Sequence, residues 1–143
     1  MNRKIAVEII AFLFIFLFVY AAASKLLDIE KFRVQLGQSP LLTVFAGWVA
    51  WVIPTLEILI AVLLLLPTYR FIAFFAALTL MVMFTSYIVV ILNFGSYIPC
   101  SCGGILEKLG WTQHLIFNCV FILLALAGIL ILAWDRYIIA EKS

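Results

Sequence analysis

Cys100 and Cys102 are separated by a single serine and framed by Pro99 on one side and Gly103-Gly104 on the other. Joining the two sulfurs requires a turn that brings the Cα atoms within roughly 4.4–6.8 Å, which an extended strand does not provide. Pro99 fixes one φ angle, and the two glycines permit backbone conformations that other residues resist. A disulfide that closes so small a ring removes little entropy from the unfolded chain, so it is a poor staple. Strained, accessible disulfides are more oxidising and exchange readily, so the pattern favours thiol–disulfide redox chemistry over a structural role. Two other readings stay open. The pair can be an idle structural disulfide, or it can bind a metal together with Glu107 and His114. Zinc sites normally use wider spacing, such as C-x2-C, so no metal is expected. The third cysteine, Cys119, falls within an apolar run and reads as a packed, inert thiol.

Polar residues inside apolar runs are the next candidates. Glu57 follows Pro54 within such a run, and a carboxylate there must be paired, protonated or functional. Lys25 closes the preceding run at a depth that lets it snorkel outward or meet Glu57. Ser24 and Asn118 are placed to join the same network. It reads in two ways: a structural Lys25–Glu57 pair that holds the helices together, or a polar pocket that relays protons during thiol oxidation. Thr112 is the expected N-cap of the last apolar helix, and a helix N-terminus lowers the pKa of a nearby thiol. His114, in the first turn of that helix, could exchange protons with a thiol; it reads also as a satisfied interfacial histidine.

The elements that must position these residues follow from composition. The chain has 143 residues, 68% hydrophobic and only 11% charged, too little polar surface to cover a soluble domain. Apolar runs cover about 5–27, 43–66, 70–93 and 113–134, each near the roughly 20 residues that cross a bilayer. Lipid satisfies no backbone hydrogen bonds, so each run predicts a helix. The expected fold is all-α: an integral membrane four-helix bundle in the lipid bilayer, with residues 1–143 as a single domain. Between the first two spans, Ile29, Phe32 and Leu36 recur at helical spacing with charges between them. Asp28 is a suitable N-cap and Gly37 a suitable stop, which predicts a short amphipathic interfacial helix over 28–37. That helix reads as a lid on the bundle or as a docking surface for a soluble partner. The cysteines fall in a loop over 95–111.

Arg3-Lys4, an apolar stretch and Ala21-Ala22-Ala23 imitate a secretory signal peptide, but Glu8 interrupts the apolar region and favours a retained span. A net charge of +2 with no basic stripe gives no footprint for nucleic acid. Four spans place both termini on one side, with five basic residues there (Arg3, Lys4, Arg70, Arg136, Lys142) against four opposite (Lys25, Lys31, Arg33, Lys108). The positive-inside rule favours cytoplasmic termini by that small margin. The cysteine loop then faces an oxidising compartment, which suits a disulfide. Trp48, Trp51 and Trp111 fall near that boundary and Trp134 near the other, as in an aromatic belt.

Three segments, in this order and spacing, run through nearly the whole chain: Ala23-Ser24-Lys25-Leu26-Leu27-Asp28 at the end of the first span, Pro54-x-x-Glu57 in the second, and Cys100-x-Cys102-Gly103 after the third. Together they resemble the methylamine-utilisation family MauE, within the wider DoxX-like group of four-helix membrane proteins. The resemblance carries over to Lys25, Glu57, Cys100, Cys102, Gly103 and Gly104. The family usually has an aromatic-Gly or related pair after the second cysteine, where this chain has Gly103-Gly104. It implies a bacterial inner-membrane protein associated with periplasmic thiol chemistry, linked to maturation of the disulfide-rich methylamine dehydrogenase alongside a thioredoxin-like partner. The outline is also similar to the bundles of the vitamin K epoxide reductase and DsbB type, which pass electrons from thiols to a quinone. A quinone is the cofactor that this likeness would imply, but fold likeness alone does not carry the reaction.

The leading expectation is a membrane thiol–disulfide oxidoreductase. In it, Cys100 and Cys102 exchange electrons with a periplasmic thioredoxin-like protein, and His114 or Glu57 handles protons. The competing expectation is a non-catalytic assembly factor or accessory subunit that docks a partner. A transporter fits less well, because the spans show no paired broken helices.

Overall fold

Each long apolar run folds as one helix, because a helix pairs its own backbone groups without help from solvent. A computed structural model of the protein describes residues 2–39, 41–94 and 110–143. Its elements are α1 (Arg3–Leu27), α2 (Ile29–Gly37), α3 (Ala46–Leu65), a single 3-10 turn (Pro67–Tyr69), α4 (Arg70–Phe94) and α5 (Trp111–Lys142). No strand occurs among the described residues. Among the described residues, four helices are long and apolar enough to cross a membrane: α1, α3, α4 with its leading 3-10 turn, and α5.

The element ends show what apolarity alone cannot mark. α5 continues to Lys142, eight residues beyond Trp134, because the edge of the hydrocarbon does not end a helix. Its 32 residues span roughly 48 Å at 1.5 Å per residue, well beyond a bilayer core of about 30 Å. The polar extension has partners: Asp135 meets Arg3 at 3.5 Å, and the Arg136 guanidinium lies 4.4 Å from the centre of the Phe71 ring. α3 begins at Ala46 instead of Thr43, because the chain first makes tight turns in which Leu42 and Thr43 both donate to the Ser39 carbonyl. At the start of α5 the cap is Gly110, whose N–H donates to Gln113 Oε1 at 3.2 Å. Thr112 therefore sits inside the first turn and is not the cap.

α1 packs most extensively against α3, and α4 against α5, while α1–α5 and α3–α4 close the ring. α3 and α5 are thus diagonal neighbours. The chain runs up and down, so the α1 end, α2, the α3 start, the α4 end and the α5 start share one end of the bundle. The core is built around Phe14, which is fully buried and meets Phe74 and Phe121 edge to face, with ring centres 6.2 and 5.1 Å apart. Small residues let the helices approach this closely: Ala11, Ala73, Ala77 and Ala125 are buried with the rings. Bulky residues such as Phe12, Phe16, Leu123 and Leu130 point outward, where lipid takes the place of a protein core.

At the end that carries the termini, Arg70 binds the Glu8 carboxylate through both oxygens, at 2.6 and 3.0 Å. The same side chain donates to the Leu64 carbonyl at 3.0 Å, satisfying one of the orphan groups at the end of α3. Glu8, which interrupts the first apolar run, is therefore a tie between α1 and the start of α4.

Gly128 faces the Phe74 ring so closely that a Cβ there would lie 3.0–3.2 Å from three ring atoms. Gly128→Leu should lower the stability of the bundle in detergent by about 1–3 kcal/mol through overpacking. Leu130→Ala, at a lipid-facing position, should leave the unfolding midpoint nearly unchanged. Equal effects from the two variants would contradict this packing.

Candidate functional site

Lys25 does not snorkel to the interface. It turns inward, is 4% exposed, and donates to Glu57 Oε1 at 2.9 Å and to the Ala21 carbonyl at 3.3 Å. Phe32 from α2 and Phe84 from α4 lie on either side of it, with ring centres 5.8 and 5.9 Å from Nζ. Their negative faces add cation–π attraction where no water competes. One ammonium group therefore touches four helices. Glu57 is fully buried on α3, three residues after Pro54, which is also fully buried. Pro54 has no N–H, so the Ala50 carbonyl one turn earlier loses its usual helical partner.

Beside this pair lies a cavity of about 410 Å³ lined by residues from all five described helices. Most of its wall is apolar, and its polar contributions come from Lys25, Gln35, Glu57, Tyr87, His114 and Asn118. Three of these present buried atoms with no hydrogen-bond partner among the described residues: Glu57 Oε2, His114 Nδ1 and Asn118 Nδ2. α2 closes the end of the cavity with Phe32 and Leu36, which also pack against Ala46 and Ala50 of α3. The amphipathic helix is thus a lid anchored by its apolar face, and its Asp28 caps it by accepting from the Lys31 N–H at 3.4 Å.

The sequence-derived candidates separate into three groups. Lys25, Glu57, His114 and Asn118 come together on the cavity wall. Ser24 is half-buried on α1 and is not part of that wall. Cys100, Cys102, Gly103 and Gly104, together with Glu107, lie outside the described residues. By connectivity, their segment joins Phe94 of α4 to Gly110 of α5, and both helices end at the cavity end of the bundle. Cys119 corrects the expectation of a packed thiol. It is exposed, one residue on from buried Asn118, and so lies about 100° around the helix from the inward face. Trp48 and Trp51 are outward-facing as a belt requires, whereas Trp111 is half-buried and lines the cavity. Gln35 and Tyr87 were not singled out by sequence. Tyr87 is a polar residue within the apolar run of α4, which is the signal that exposes such a position, whereas Gln35 sits among the polar residues Lys31, Gln38 and Ser39 and gives none.

The profile of one known family aligns with residues 3–131 of this chain, almost its full length; the family is described as methylamine utilisation protein MauE. The chain belongs to the MauE family. It is a multi-pass membrane protein of a family connected to methylamine utilisation. No curated protein and no solved structure matches it. Of the residues on which the MauE resemblance rested, Lys25 and Glu57 are in direct contact within the bundle.

Breaking a buried ion pair from one side strands a charge, at a cost of about 3–5 kcal/mol, whereas removing both partners costs far less. Lys25→Met and Glu57→Leu should each destabilise the MauE-family bundle strongly in detergent. The double variant should be more stable than either single one, and a double-mutant cycle reads this coupling. Additive losses would contradict the pairing.

Proposed function

We propose that this MauE-family protein is a membrane thiol–disulfide relay serving the maturation of periplasmic proteins, and that it acts with a thioredoxin-like partner. The observation that carries the reading is a conjunction at one end of the bundle. A Cys-x-Cys segment joins α4 to α5 in sequence, and α5 brings His114 and Asn118 to a cavity whose wall also holds Lys25 of α1 and Glu57 of α3. Redox-active cysteines need accessible sulfurs and nearby groups that accept and return protons.

In the relay, a thiolate of the partner attacks the Cys100–Cys102 disulfide and forms a mixed disulfide, releasing the other cysteine as a thiol. The second partner thiol then resolves the mixed disulfide. The partner leaves oxidised, and two electrons and two protons rest on Cys100 and Cys102. His114 and Glu57 are assigned the proton traffic between this pair and the cavity. In this reading the cavity end faces the periplasm of a bacterial inner membrane, and the termini are cytoplasmic, in keeping with their slight excess of basic residues. A second reading, a non-catalytic accessory subunit, is favoured by the exposed charges Glu30 and Arg33 on the outer face of α2.

Alkylation of membranes before and after reductant separates the two. In the relay, Cys100→Ser or Cys102→Ser should abolish maturation of the client and trap a reductant-sensitive mixed disulfide. Full maturation in both variants, with no trapped species, would sink the relay in favour of the accessory subunit.

A further inference from the structure

The Arg33 guanidinium reaches from α2 onto the first turn of α3, where its Nε and Nη2 lie 3.9 and 4.0 Å from the place a Gly47 Cβ would occupy. It makes no ion pair or hydrogen bond among the described residues. Most carboxylates are committed elsewhere: Glu8 holds Arg70, Glu57 holds Lys25, Asp135 meets Arg3, and Asp28 caps α2. Arg33 stands at the head of a groove of about 620 Å³ on the outer face of the bundle, lined otherwise by α3 from Gly47 to Leu56. That stretch is roughly 14 Å of helix at 1.5 Å per residue, directed from the bundle end into the apolar span.

The polar groups of this groove are one-sided. A guanidinium and an indole N–H can only donate, and the groove holds Arg33 with the exposed indoles of Trp48 and Trp51. Thr55 spends its hydroxyl proton on the Trp51 carbonyl at 2.7 Å. No acidic side chain lines the groove, Glu30 of the same α2 included. An aromatic belt accounts for the two indoles but not for an unpaired guanidinium beside them. The occupant must offer acceptors and negative charge at the Arg33 end and hydrocarbon along Val52 and Leu56. Arginine binds phosphate through charge-assisted bonds, and a phosphate joined to acyl chains is a membrane lipid. With no carboxylate to receive a headgroup ammonium, a headgroup whose only charge is its phosphate fits better than a zwitterionic one.

We propose that the groove between Arg33 and the outer face of α3 binds one anionic glycerophospholipid of the phosphatidylglycerol class. Its phosphate accepts from the Arg33 guanidinium, the indoles of Trp48 and Trp51 border its ester region, and an acyl chain follows Val52 and Leu56. The site uses none of the residues assigned to the relay and stands if the relay fails.

Tryptophan fluorescence of the protein in phosphatidylcholine nanodiscs with a small share of phosphatidylglycerol tests this. Each lipid in turn is brominated near the glycerol end of one chain, where bromine quenches a neighbouring indole. At equal share, brominated phosphatidylglycerol should quench more than brominated phosphatidylcholine, with the site enriched about tenfold over the bulk, as one charge-assisted contact provides. Arg33→Gln and the double variant Trp48→Phe/Trp51→Phe should each remove the excess. Lys31→Gln and Cys100→Ser/Cys102→Ser should keep it, and inorganic phosphate should not reverse it. The proposal is overturned by equal quenching from the two lipids, or by an excess that survives Arg33→Gln or the double tryptophan variant. An excess lost equally in Lys31→Gln would mark diffuse charge, and one reversed by inorganic phosphate a soluble anion; either overturns it. So does an excess that emerges only in Glu107→Gln, because Glu107 would then be the partner of Arg33.

Discussion

A lysine and a glutamate buried inside a lipid-embedded bundle are tolerable only together. Alone, either charge would have to be neutralised or dragged to the interface. Held 2.9 Å apart, Lys25 and Glu57 satisfy much of each other's need, and the Ala21 carbonyl and two aromatic rings supply more. The consequence is geometric as well as energetic. α1 and α3 cannot slide past each other without parting the pair, and Phe32 and Phe84 bring α2 and α4 to the same ammonium group. Buried charge is weak evidence for added stability, but it is a strong constraint on register. The cavity, its lid and its polar wall all take their positions from this point.

The two ends of the bundle are held by different means. At the terminal end, Arg70–Glu8 and Arg3–Asp135 are partly exposed ties, and the solvation available there makes each worth little on its own. Between the ends, rings packed around Phe14 and small residues facing them form an apolar core. At the opposite end the packing opens. Diagonal helices α3 and α5 leave a space between Glu57 on one side and His114 and Asn118 on the other, with α2 laid across it. The end of α4 at Phe94 and the start of α5 at Trp111 lie at this same end.

Much of the architecture was legible because a bilayer simplifies the code. Length of apolar run predicts a span, and the depth of Lys25 and Glu57 along their runs suggested that they could meet. The same simplicity hid the rest. Apolarity reports where hydrocarbon ends, so it missed the continuation of α5 to Lys142, which ion pairing and cation–π contact support. A helix that is apolar all round gives no periodic signal for its inward face. Cys119 was therefore expected to pack, while the structure buries its neighbour Asn118. Trp111 read as a belt residue because its type and depth fit one, yet its side chain lines the cavity. The role of Phe32 and Phe84 beside Lys25 rests on tertiary packing that no local pattern encodes.

The central claim is that Lys25 and Glu57 are in direct contact inside the membrane. Magic-angle-spinning NMR on protein in lipid bilayers, with labelled lysine and glutamate, measures it through the dipolar coupling between Lys25 Nζ and Glu57 Cδ. The account predicts strong dephasing between these two nuclei, as a 2.9 Å N–O contact requires, and its loss in Glu57→Leu. No dephasing in the unaltered protein would contradict it.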